Sequence, residues 1–430
     1  MLLACLLCVG KANAQDTLTK HLNAFFRTFE PTTYEGFRKM IALKPLVLTK
    51  KYQNEGLKYK FKQKLGFAFG VMGYQDSLLR YTADLTYGML DSTLQTKDFK
   101  AVEALDYLVE KAKKHQIVFI NEAHHLAHHR AFTAKLLEAL RKEGFTYFGA
   151  EMWLNNPNNQ PYHAQGYPVK MSMTPAYDEP YSRMMFRKAF QLGYQIVPYE
   201  IEDFEYKNLD TSFVRLGLKI DDDNDRREWT QAVNLYKRVL AKDKNAKIII
   251  HCGYDHLAKV PFDGWIPMAY CLQKITGIEP FVITQANELT FGDKYYQEVM
   301  ETYKSKEPFI LLDKKDKKPW LATYQSTKSV DALVLTPPQK RYKFDNPAIN
   351  YTNSKKPSHK IALSQFKQSA PYLLEVYFAG EDEKAMPVYQ LEIASPAEAQ
   401  NTLKLYLPKN KSLNIKLIST EGKVLEEKKL

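Results

Sequence analysis

The stretch Ile120–Phe132, INEAHHLAHHRAF, packs four histidines and a glutamate close together in a chain with ten histidines in all. A carboxylate hydrogen-bonded to an imidazole fixes its tautomer and raises its basicity, so that the ring can deprotonate a water. Histidines and carboxylates can equally hold a divalent metal that acidifies the water directly. A solvated helix start rich in imidazole is the third reading. His124 lies two residues after Glu122, in the turn itself, and is the histidine expected at the site. His128, His129 and Arg130 read as an exposed polar first turn, with His128 the one within reach. His124/His128 and His125/His129 are spaced i, i+4. The glutamate precedes them, so the H-E-x-x-H zinc motif is not met.

The elements that must position these residues alternate. Short apolar runs (Ile117–Ile120, Phe145–Ala150, Gln195–Pro198, Lys247–Ile250, Phe281–Thr284) are separated by helical patterns: His128–Lys142, Ser182–Gln191, Asp225–Lys242, Trp265–Lys274. That alternation predicts an α/β fold, a mostly parallel sheet covered by helices on both faces. Pro308–Leu312 and Ala332–Leu335 are two further strand candidates. In such sheets ligands bind beyond the carboxyl ends of the strands. Those ends carry Asn121, Glu122 and His124, then Glu151, then Tyr199, Glu200, Glu202 and Asp203, then His251 and His256. Four successive strand ends thus bring acids and histidines to one rim. The first reading is water activation by Glu122, His124, Glu151 and His256, with His251, Glu200, Asn121, His128 and Tyr199 in support. The same Glu122, His124, Glu151 and His256 are the ligand set if a metal (Mn, Co or Zn) is held.

No G-x-S-x-G elbow supports a covalent serine, and Cys252 reads as a small packing residue at a strand end. His21, His115, His163 and His359 read as structural. Asp221–Asp225 lacks the spacing of a calcium loop. Asp225 and Glu228 read as a capping box at the start of their helix.

Several of these motifs resemble a known superfamily, that of erythromycin esterases, ChaN-like haem-uptake proteins and TIKI/TraB proteins. Asn121-Glu122-Ala123-His124 after a strand is similar to its G-E-x-H motif, and Glu151 to its next acidic position. Arg227-Glu228 with Ala232 and Asn234 resembles the esterases' R-D-x-x-M-A-x-N helix. Ile248–Leu257 resembles the strand followed by G-x-x-H-L of the other two branches. Asn121 stands where a glycine is usual, and Asp255-His256 departs from the esterases' H-N-x-H. The resemblance spans Ile117–Leu257. It implies ester or lactone hydrolysis, metal-dependent peptide cleavage, or haem binding without catalysis, according to branch, with Arg227 orienting or neutralising a carboxylate or substrate oxyanion.

Before this region, residues 15–100 read as a helical lead-in, with helices at Leu18–Phe29, Tyr34–Ile41 and Ser77–Leu94. The α/β core is expected over 101–338. Beyond it, 339–430 reads as a linker (Lys340–Lys367) and a small antiparallel β module with a turn at Ser419–Gly422. The first residues, MLLACLLCVGKANA, read as a signal peptide over 1–14: Leu2–Gly10 is apolar and Ala12-Asn13-Ala14 is a cleavage pattern. Export to the periplasm or the exterior is expected, with attachment at the outer surface as a variant. After cleavage, Cys252 and Cys271 remain, which excludes a disulfide scaffold.

The chain of 430 residues is 45% hydrophobic and 26% charged, an ordinary globular composition with a net charge of +12. No stretch approaches the ~18 apolar residues of a spanning helix. The positive charge comes without a nucleic-acid motif and reads as a basic surface. The expected partner is a small-molecule or peptide substrate.

Overall fold

The computed structural model describes residues 11–430 apart from 29, 31, 75, 76, 78–93, 125, 171, 175, 176, 203, 204, 206, 209–219, 221, 287–293, 323–328 and 338–342. The apolar start, His125, Asp203, Asp221 and nearly all of Ser77–Leu94 lie outside the described residues.

Three helices come first: α1 (Lys11–Thr28), α2 (Tyr34–Val47) and α3 (Glu55–Val71). Asn54 starts α3 by accepting from Leu57 N with its side chain. Its lysine-rich sequence hides a buried stripe of Phe61, Leu65, Ala68 and Phe69, and the sequence reading missed it.

Strands and helices then alternate. β1 (Phe99–Glu103) runs directly into α4 (Ala104–Ala112), followed by β2 (Ile117–Glu122), α5 (His128–Arg141), β3 (Tyr147–Ala150), α6 (Pro180–Gln191) and β4 (Gln195–Val197). Next come α7 (Asp223–Leu235), β5 (Ile248–Gly253), α8 (Met268–Thr276), β6 (Phe281–Thr284), α9 (Lys294–Tyr303), β7 (Phe309–Asp313) and β8 (Ala332–Leu333). Gly144, at φ +88°, turns the chain after α5 toward β3.

Six strands form a parallel sheet in the order β4-β3-β5-β2-β6-β8. Alternate residues of each strand face opposite layers. Val118, Ile120, Phe148, Ile249 and Ile283 pack under α5 and α6. Ile117, Phe119, Ile248, Ile250 and Val282 pack under α7 and α8. From β2 the chain steps to one side for β3 and β4 and to the other for β6 and β8. In open parallel sheets such a reversal of strand order marks the carboxyl-end rim as the place where ligands bind.

Three expectations change. The Phe309–Asp313 strand leaves the parallel sheet and pairs antiparallel with β1, a segment expected to be helical or irregular. The helix expected from Trp265 starts at Met268, because Phe262 and Trp265 close a tight turn by mutual backbone hydrogen bonds. Lys340–Lys367 is not a linker: it holds β9 (Asp345–Asn350) and β10 (His359–Ala362), and it buries Ile349, Ile361 and Phe366.

The C-terminal strands are β11 (Tyr372–Phe378), β12 (Tyr389–Ile393), β13 (Thr402–Tyr406), β14 (Leu413–Ile418) and β15 (Val424–Lys429). Four make an antiparallel sheet, β12-β11-β14-β15, with the expected turn after Ile418. β13 instead joins β10 and β9, the latter in parallel.

The four-stranded sheet bridges the molecule. On one side Arg187 of α6 pairs with Glu381 and donates to Met386 O, and Arg183 donates to Gln390. On the other, Glu392 takes Arg38 of α2 at 3.1 Å and the Tyr74 hydroxyl at 2.6 Å. Leu373 and Ile418 pack with the N-terminal helices.

Removing one member of a buried ion pair strands the other. Arg187→Met is therefore expected to cost about 3 kcal/mol of stability in urea unfolding. A loss within error of zero would show that Arg187–Glu381 does not hold the sheet to α6.

Candidate functional site

Glu122 ends β2 and is fully buried. A carboxylate there needs compensation, which comes from α5. Arg130 Nη2 lies 2.5 Å from Glu122 Oε1 and 2.9 Å from His124 O, and Nη1 reaches Glu179 Oε1 at 3.2 Å. Glu179 in turn caps α6, accepting from Tyr181 N and Ser182 N. Burial pushes the Glu122 carboxyl up, but Arg130, then His251 and His124, hold it well below the usual range.

His124 Nδ1 is 3.0 Å from Glu122 Oε1. An ionised carboxylate only accepts, so Nδ1 carries the proton and Nε2 of the neutral ring presents a lone pair. The ring stands between Tyr177 and Tyr254, with centroids 4.9 and 4.8 Å away. Tyr177 also touches Phe67 of α3 at 6.1 Å. Nε2 lies over Gly253: a Cβ there would be 2.4 Å from it and 3.1 Å from Glu151 Oε2. The glycine at the end of β5 thus leaves room for the imidazole. The next residue, Tyr254, has φ +36°, a strained value for a side chain of this size. Its N–H donates to Glu122 O, and Asn121 Nδ2 donates to its carbonyl.

Glu151, just past β3, accepts from Gly253 N at 2.6 Å and from Arg227 Nη2 at 2.7 Å. Burial raises its carboxyl, but His256, His124 and Arg227 overcome that and bring it to about 2. Arg227, on α7, also grips Glu200 at 3.0 Å through Nε and 2.5 Å through Nη2, and Gln231 donates to both Glu200 oxygens.

His256 Nδ1 is 2.6 Å from Glu228 Oε1, and Nε2 is 3.6 Å from Glu151 Oε1. Burial opposes its protonation, yet Glu228 and Glu151 raise it to about 9. Arg227 Nη1 lies 3.2 Å from the same Nε2, a contact that only the neutral ring can accept. Two carboxylates outweigh one guanidinium, so the imidazolium is favoured at neutral pH. The neutral ring also has a partner waiting.

Glu122, His124, Glu151, Arg227 and His256 therefore come together, with Glu200 holding Arg227. His251 is buried in β5, its Nε2 3.3 Å from Glu122 Oε2 without hydrogen-bond alignment, and it supports that charge. Asn121 and Tyr199 are braces. Asn121 spends its amide on Tyr254 O, Thr284, Gln285 N and Ala286 N. Tyr199 donates to His251 O. His128, His129 and Arg130 are buried, against the expectation of an exposed turn. His128 packs its ring on His129, which accepts from Ala123 N.

Arg130, Glu179, Glu228 and Gly253 were missed in the sequence. Glu228 read as a capping residue, but Asp222 caps α7 by accepting from Asp225 N, and Glu228 Oε2 instead accepts from Met268 N. The available signal was Arg130 itself, eight residues past Glu122 at the start of a helix that must face the sheet.

The expected metal set does not form. Among the described residues no three His, Cys, Asp or Glu side chains converge so as to hold a metal. His124 and Glu122 are committed to each other, Glu151 to Arg227 and Gly253, and His256 to Glu228. Among the described residues no helix is long and apolar enough to cross a membrane.

No family model and no curated protein matches the chain. Solved structures similar to parts of it include ChaN of Campylobacter jejuni, described for cofacial heme binding, at 10% identity and TM-score 0.32 over 45% of this chain and 95% of that one. A structure described as bacterial protein toxins is 15% identical at TM-score 0.29, over 56% of this chain and 48% of that one. The type III effector HopBA1 is 12% identical at TM-score 0.27, over 44% and 86%.

Gly253→Ala is expected to displace His124 and abolish its hydrogen bond to Glu122 while leaving the sheet intact. The imidazole N–H resonance of His124 and the circular dichroism spectrum check this; an unchanged resonance would refute the steric argument. Glu151 ionises at about 2 in the fold, against 4.5 ordinarily. Its contribution to stability is complete above pH 4.5 and lost as pH falls toward 2. Thermal melts of Glu151→Gln should therefore show a shallower acid decline than wild type over that window.

Proposed function

We propose that the protein is an exported hydrolase acting on an ester, lactone or peptide carbonyl. The observation that carries this reading is His124: an imidazole whose Nδ1 is held by the buried, ionised Glu122 and whose Nε2 lies over Gly253. A water hydrogen-bonded to His124 Nε2 loses a proton to it as its oxygen attacks the carbonyl. Glu122 stabilises the imidazolium that forms. Arg227, held by Glu200 and Glu151, offsets charge on the carbonyl oxygen. His256 gives its proton to the leaving group, and the neutral ring then accepts from Arg227. Proton exchange with solvent resets both rings. The apolar N-terminus and Ala12-Asn13-Ala14 support export to the periplasm or the exterior.

The test is hydrolysis of an ester, a lactone and a peptide panel by the mature protein. His124→Ala is expected to lower kcat/KM by about 10²–10⁴ with the fold retained. Absence of turnover by wild type across the panel, together with a Soret band in the purified protein, would replace hydrolysis with haem binding. His256 must be protonated to act as the acid, so kcat/KM should fall as pH rises through about 9. Glu228 is the largest charge holding that proton. In Glu228→Gln the alkaline limb should move to lower pH; a limb that stays in place would remove His256 from the acid role.

A further inference from the structure

Beyond the reacting groups, Phe262 and Trp265 stand beside His256. Trp265 meets the imidazole edge-on at 5.5 Å and 71°, and Phe262 meets Trp265 at 5.2 Å and 84°. Both rings are partly exposed, and neither joins a hydrophobic cluster among the described residues.

Their position is nonetheless built. Phe262 and Trp265 exchange backbone hydrogen bonds at 3.2 and 2.9 Å across a two-residue turn. Asp263 at φ +49° and Gly264 at φ +80° give it the left-handed backbone of a tight hairpin. The following residues are tied to α7, which carries Arg227: Ile266 N donates to Asp225 and Met268 N to Glu228. One helix thus places the guanidinium, the carboxylate on His256 and the indole beside it. A partly exposed tryptophan on a rigid support offers a large flat contact at little entropic cost.

We propose that Trp265, backed by Phe262, forms a subsite for a flat apolar group, an aromatic ring above all, on the leaving-group side of the scissile bond. The side rests on the hydrolase reading, in which His256 protonates the leaving group; the subsite itself does not. Substrates are then esters or amides whose departing alcohol or amine bears a ring close to the carbonyl. Tyr254 and Tyr177 likewise stand edge-on to His124, the other imidazole of the site.

The experiment uses the full chain and two kinds of probe. Benzylphosphonate and ethylphosphonate are titrated by calorimetry, and benzyl acetate and ethyl acetate, whose leaving alcohols are of similar acidity, are compared as substrates. Wild type is expected to prefer the benzyl member of each pair by about tenfold. Trp265→Ala should bring both ratios close to one, and Trp265→Phe should keep most of the preference. If Trp265 only steadied His256, its loss would weaken both members of a pair equally and leave the ratio unchanged; that result overturns the proposal. So does a wild type that binds neither phosphonate or shows no benzyl preference. Selective binding that depends on Trp265, with no turnover of either acetate, would retain the subsite and remove the hydrolase reading.

Discussion

A carboxylate buried at the end of a central strand has to be answered by a cation, and much of the site follows from that need. Glu122 has no exposure to water. Arg130 answers it from the first turn of α5, which fixes how that helix meets the sheet. Arg130 also takes Glu179, which caps α6. One electrostatic demand thus orders three elements. It also leaves Glu122 an acceptor toward His124, so the ring orientation follows from the same charge. A second system, Glu151–Arg227–Glu200 with His256–Glu228, is built from α7 on the other face, and Gly253 sits where the two meet.

Much of this was legible because parallel strands gather their ends. The apolar runs at Ile117, Phe145, Gln195, Ile248 and Phe281 each became a strand, and period-two burial sorted their residues into the two layers. Glu122, His124, Glu151 and His256 could be named from position alone, since a residue just past such a strand has one rim to occupy. What escaped were partners whose meaning is tertiary. Arg130 and Glu228 lie on helices where charges are ordinary, and only the burial of their faces distinguishes them. Asn121 and Tyr199 stand at strand ends as the catalytic candidates do, yet their polar atoms are consumed by backbone. Position shows where a side chain sits, and its hydrogen-bond partners show whether anything is left for a ligand.

Two errors in the fold share a cause. Phe99–Glu103 and Lys340–Lys367 are polar or mixed in sequence, a composition that predicts helical, irregular or linker structure. Both hold edge or small-sheet strands whose pairing is long-range: β1 with β7, and β9 and β10 with β13. Such strands need little apolar periodicity, because the partner strand supplies the hydrogen bonds and nearby elements supply the cover.

The bridging position of the C-terminal sheet bears on the order of assembly. Arg38 and Tyr74 meet Glu392, and Leu373 joins the cluster around α1–α3, so the first helices made have their docking surface only once the last strands exist. Loop-closure entropy over that separation makes such contacts slow to form. Through Phe67 and Tyr177 the same helices reach the ring beside His124. A chain still being made therefore lacks one side of the packing around His124 until its two ends have met.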